Sequence, residues 1–178
     1  MNKKKLVTEM GRIDRDAFAQ SQKLPLVVVL DNVRSLHNVG SVFRTSDAFR
    51  VECIMLCGIT ATPPSAEMHK TALGAEDVVD WKFYESTMDA VAELRSQGYR
   101  IYSIELCQGS IALQDFVTAP GERYAVVLGN EVKGVQQDVV DASDGAIEIP
   151  QFGTKHSLNV SVTAGMVIWE FAKKLGLV

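Results

Sequence analysis

The sequence predicts an α/β protein, a parallel sheet with helices on both faces. Three observations carry that expectation. Short, almost wholly apolar runs such as residues 26–30 and 123–128 read as strands buried on both sides, because a strand with one wet face would alternate instead. Segments with apolar residues at helical spacing fall between those runs. Helix caps and glycines punctuate the boundaries. Strand and helix therefore alternate along the chain, the pattern of βαβ units.

Taken in order, residues 3–23 mix charges with Leu6, Met10, Ile13 and Phe18, which predicts one or two turns of amphipathic helix. Residues 1–24 form an N-terminal extension and residues 25–178 a single domain. The first strand, 26–30, is bounded by Pro25 and Asp31. A helix follows, with Asn38 at its N-cap and Val39, Val42, Phe43 and Phe49 at helical spacing. Residues 51–57 form the second strand, and Ser65 caps a short helix that carries Met68, Ala72 and Leu73 and stops at Gly74. Residues 78–84 are a weakly alternating strand, 87–97 a helix ended by Gly98, and 99–106 a strand leading to a loop around Gly109. Then come a strand at 123–128, a short helix at 136–141, a brief strand at 146–149 and a final helix over 158–174.

Composition bounds the function. With 178 residues, 47% of them hydrophobic and 22% charged, the chain supports a sizeable core. Its longest apolar runs fall well short of the ~18 residues of a membrane span, so no membrane is expected and a cytoplasmic location is the default. The net charge of −4 excludes a globally basic nucleic-acid surface but not a local basic patch. Cys53, Cys57 and Cys107 make no disulfide framework, and Cys53 and Cys57 read as buried strand thiols without enough companions for a metal site.

Three stretches carry chemistry. In the first, residues 30–49, the turn after a strand end leads into a helix whose leading N–H groups favour anions. Arg44, four residues after Gly40, shares its helical face and leans toward the helix start, where a guanidinium would meet phosphate or ribose oxygens. A surface arginine on a helix whose glycine serves packing is the equal alternative. The second stretch runs Leu128-Gly129-Asn130-Glu131-Val132-Lys133-Gly134, with Glu131 either functional or capping a neighbouring helix. The third runs from Ile149-Pro150 through a glycine-containing loop to Ser157-Leu158-Asn159-Val160-Ser161, with Ser157 placed to cap the last helix.

In this order and spacing the three stretches resemble the SPOUT class of RNA methyltransferases, and within it the SpoU/TrmH branch, which methylates ribose 2′-hydroxyls. Asn38 to Arg44 fits that family's Asn-x-Gly-x-x-x-Arg motif, and the resemblance runs from Pro25 to the end. It implies a C-terminal trefoil knot that no periodicity reveals, S-adenosyl-L-methionine as cofactor, and a homodimer packed through the first and last helices. It also implies a catalytic group of Arg44, Asn38, Glu131, Ser157 and Asn159, with cofactor contacts from Leu106, Leu128, Gly129, Ile149 and Leu158. His156 receives no role, and no metal is expected. The RNA partner expected from the short segment before the first strand is tRNA; rRNA and a non-catalytic RNA-binding protein are the alternatives. An ordinary dinucleotide enzyme lacks support, since no Gly-x-Gly-x-x-Gly follows the first strand.

Overall fold

The apolar runs assemble into one sheet. The computed structural model describes residues 2–155 and 157–178; His156 lies outside them. Seven strands are present: β1 (Leu24–Asp31), β2 (Val51–Cys57), β3 (Trp81–Tyr84), β4 (Tyr99–Ile104), β5 (Ile111–Ala112), β6 (Arg123–Leu128) and β7 (Gly145–Glu148). They lie in the order β3-β2-β1-β6-β4-β7-β5, and every pairing is parallel. The α/β class is as the alternation predicts. The two-residue strand β5 escapes sequence reading because it is too short to show a period.

Strand side chains alternate between two cores. Leu24, Leu26, Val28 and Leu30 of β1 face one side, where they meet α1 (Arg15–Gln20), α2 (Leu36–Ala48), α3 (Ala66–Ala72) and α6 (Val160–Lys174). Val27 and Val29 face the other, packing on α4 (Thr87–Ser96) and α5 (Gln137–Ala142). Phe18 joins the first core, so the N-terminal extension is anchored by one buried ring. Burial pushes the thiols of Cys53 and Cys57 up to about 12, which keeps both protonated and poor metal ligands.

Two cap assignments need correction, and the open reading of Gly40 is decided. Asn38 is not the N-cap of α2: Ser35 is, its side chain accepting from the Asn38 backbone N–H. Chain entry into the helix is therefore three residues earlier, and the Val39 N–H is already bonded to the Ser35 carbonyl. Gly40 serves packing, which is one of the two readings its sequence position allowed. A Cβ there would come within 2.2 Å of Thr71 Oγ1 and 2.3 Å of the Met68 carbonyl, so this glycine lets α3 approach α2. Ser157 does not cap α6 either; Asn159 does, accepting from the N–H groups of Ser161 and Val162.

Candidate active site

Parallel strands leave their carboxyl ends on one edge, and the chain's change of direction across the sheet opens a crevice there. The cleft, about 340 Å³, is lined by Ile104 to Leu106 after β4, Leu128 to Gly134 after β6, Ile147 to Ile149 at the end of β7, and Ser157, Leu158, Val160 and Thr163 at the start of α6. All five residues expected to hold a cofactor, Leu106, Leu128, Gly129, Ile149 and Leu158, lie on its walls.

The turn after β6 is the cleft's central wall, and its shape is fixed from within. Asn130 and Gly134 exchange backbone hydrogen bonds at 3.0 and 2.9 Å. Asn130 Oδ1 accepts the N–H groups of Val132 and Lys133, and its Nδ2 donates to the Asn32 carbonyl. Glu105 braces the turn from β4, its carboxylate accepting from the N–H groups of Val135 and Leu106. The glycines serve close approach more than flexibility. A Cβ on Gly129 would stand 2.1 Å from the backbone of Gly134 and Val135, and Gly134 has φ +70° with the Glu105 carboxylate against it. Gly129→Ala is therefore expected to lower unfolding free energy by about 1–3 kcal/mol. Urea unfolding reads this, and an unchanged midpoint would mean that the turn yields freely.

Glu131 crosses from this turn to the start of α2. Its Oε2 accepts from the Arg34 N–H at 3.0 Å and its Oε1 from the Ser35 N–H at 2.9 Å. Oε1 also accepts from Asn38 Nδ2 at 3.1 Å. Asn38 Oδ1 in turn accepts from Asn159 Nδ2 at 3.1 Å, while Asn159 Oδ1 caps α6. Glu131, Asn38 and Asn159 thus form one relay that joins the three motif stretches. Glu131 does cap a neighbouring helix, and by doing so it orients the next amide. Partial burial pushes its carboxyl upward, but the donors on Arg34, Ser35, its own backbone and Asn38 outweigh this and hold it below the ordinary carboxylate value.

Ser157 lies on the cleft wall and is exposed. Arg44 stands apart. It is exposed on α2, off the cleft lining, in a helical stripe with His37 and Ser41, and pairs with no carboxylate among the described residues. Four of the five expected catalytic residues therefore gather at or beside the cleft, whereas Arg44 is exposed farther along α2 and does not line it.

Sequence reasoning missed Asn130, Glu105 and Ser35. Asn130 had a signal, since an asparagine after glycine at a strand end commonly bonds the backbone two residues on. Ser35 had one too, three residues before the N–H it caps. Glu105 had none beyond an acidic side chain at a strand end.

Comparison with known proteins places this geometry. Residues 25–169 match the SpoU rRNA Methylase family. A 23S rRNA (guanosine-2′-O-)-methyltransferase RlmB of Neisseria meningitidis is 30% identical over 87% of this chain and 61% of its own length. A tRNA (guanosine(18)-2′-O)-methyltransferase of Aquifex aeolicus is 30% identical over 88% of this chain and 72% of its own. The chain spans about two thirds of the length of the curated relatives it matches. The crystal structure of an AdoMet-bound rRNA methyltransferase from Sinorhizobium meliloti superposes with a TM-score of 0.78 at 26% identity, over 89% of this chain and 59% of that one. With the family match covering residues 25–169, this chain belongs to the SpoU rRNA methylase family.

Proposed function

We propose that the protein is an S-adenosyl-L-methionine-dependent RNA 2′-O-ribose methyltransferase. The observation that carries the reading is the relay of Glu131, Asn38 and Asn159 standing beside a cleft whose walls hold all five expected cofactor residues. The cleft fits an adenosyl group in size and chemistry. Its volume lies in the range of small-molecule sites, and Leu106, Leu128, Ile149 and Leu158 give it apolar walls beside a backbone turn rich in N–H and C=O groups. Leu106 is 55% exposed, an apolar surface that a purine ring would cover.

When bound, S-adenosylmethionine supplies a methyl group activated by its sulfonium for in-line displacement. The chain's own residues have the remaining work. In this reading Arg44, exposed on α2 outside the cleft lining, meets the RNA and balances negative charge on the ribose oxygen or an adjacent phosphate. It is not a base in this reading, because a guanidinium stays protonated in proteins. Asn38, held through both ends of its amide, fixes the entry to α2. Ser157 offers a hydroxyl on the cleft wall as a hydrogen-bond partner for substrate.

The proposal includes tRNA as substrate with rRNA as the alternative, since relatives named for each are 30% identical to this chain. It includes a homodimer, supported by the exposed apolar stripe Val162, Met166 and Trp169 on α6. Ala164, on another face of the same helix, is buried in the chain's own core. The division of the chain at Pro25, the trefoil knot and a cytoplasmic location complete the reading; no helix among the described residues is long and apolar enough to cross a membrane.

The test is transfer of a tritiated methyl group from the cofactor to unmodified tRNA transcripts, followed by alkaline hydrolysis. Label in alkali-resistant dinucleotides is expected, since a methylated 2′-oxygen blocks cleavage of the next phosphodiester. Label released in mononucleotides would mean base methylation, and no label on either tRNA or 23S rRNA transcripts would overturn the enzymatic reading.

A further inference from the structure

The turn after β6 has a second face. The turn also forms one wall of an open groove lined by Asn32, Arg34, Ile59, Val132, Lys133 and Gln136, and its residues Asn130, Val132, Lys133 and Gly134 border both this groove and the cleft. On a chain of net charge −4, the groove carries two cations, Arg34 and Lys133, against one carboxylate, Asp138. Neither cation pairs with a carboxylate among the described residues. Val132 and Ile59 present apolar side chains that are 78% and 64% exposed.

These exposed groups stand on a rigid frame. Asn130 Oδ1 holds the N–H groups of both Val132 and Lys133, the Asn130–Gly134 bridge closes the turn, and Glu131 fixes the backbone of Arg34 from across the groove. Apolar and cationic side chains without intrachain partners, on a backbone this constrained, form a preorganised contact surface.

The chemistry left free limits what the groove recognises. The amide of Asn32 is spent on Asp31 and on the Ile59 N–H, and the Gln136 amide donates to Asp31. What remains is positive charge and apolar area, which read phosphates and base faces, not base edges. Resting on the RNA methyltransferase reading, we infer that this groove is an RNA subsite. It holds an unpaired nucleotide neighbouring the one methylated, with Arg34 and Lys133 on its phosphates and its base against Val132 and Ile59, whatever that base is. Recognition by backbone charge and base face suits RNA whose bases are splayed out of a helix.

The experiment compares the wild-type protein with an Arg34→Ala variant, whose side chain lines the groove and not the cleft, using a pool of unmodified tRNA transcripts as probe. The variant is expected to raise KM for RNA about five-fold with kcat within two- to three-fold, and to flatten the log–log salt dependence of RNA binding by roughly 1. S-adenosylmethionine affinity, read by calorimetry, should stay unchanged and thereby report intact folding. Arg34→Lys should restore the salt slope. An unchanged KM and slope in a variant whose wild-type parent methylates RNA would overturn the subsite alone, as would a loss confined to particular sequences or a parallel loss of cofactor affinity. A wild-type protein with cofactor affinity but no transfer to RNA would overturn the enzymatic reading beneath it.

Discussion

Arg44→Ala is expected to lower kcat for RNA methylation by about 10² to 10³-fold, the loss typical when one preorganised charge-stabilising group is removed. S-adenosylmethionine affinity should change by no more than a few-fold, because Arg44 lies off the cleft lining. Its exposure removes the usual objection that such a variant fails to fold. Arg44→Lys separates charge from geometry. A lysine keeps one positive charge but lacks the planar fork that engages two oxygens at once, so it should recover only part of the rate. Single-turnover methyl transfer and calorimetric titration of the cofactor measure the two quantities independently. An equal loss of both, or a lowered melting temperature, would make Arg44 a structural residue on α2 and remove it from the transition state.

The split between cleft and arginine also marks where the sequence stops being legible. Burial on both faces writes itself into composition, and so the predicted bounds of β2 and β6 coincide with those observed, Val51–Cys57 and Arg123–Leu128. Helix entries are less visible. Ser35, Asn38, Ser157 and Asn159 are all chemically able to cap, and which of them does so depends on what else competes for the side chain. Asn38 is claimed by Glu131 and Asn159, so Ser35 takes the cap. Gly40 shows the same limit: nothing local says that α3 will occupy the space above it. The identities of the site residues are legible through the motifs, but their connections are not. The bond from Glu131 to Asn38 spans 93 residues and that from Asn159 to Asn38 spans 121, and only the assembled sheet brings them together.

Those long-range bonds make Glu131 the second residue whose removal should cost most. Glu131→Ala leaves the N–H groups of Arg34 and Ser35 and the Asn38 amide without their shared acceptor. Water replaces part of the loss at this exposed position, so the stability cost should stay near the lower end of the ~1–3 kcal/mol for an orphaned donor. Catalysis should suffer more than stability, because Asn38 loses one of the two partners that fix its amide; about 10²-fold in kcat is expected for a site loosened in this way. Glu131→Gln should not rescue, since its amide nitrogen would face N–H donors where the carboxylate accepts from both. The carboxyl is held below its ordinary value in the folded protein. Its stabilising contribution is therefore complete above the unfolded carboxylate pKa of ~4.3 and disappears as pH falls through the lower folded value. The stability gap between wild type and Glu131→Ala, measured by urea unfolding, should accordingly be constant from pH 7 down to about 5 and close in more acidic solution. A gap that persists after the carboxyl is protonated would locate its origin in side-chain packing. A gap that closes while kcat of Asn159→Ala stays at the wild-type level would confine the relay's catalytic part to the Glu131–Asn38 bond.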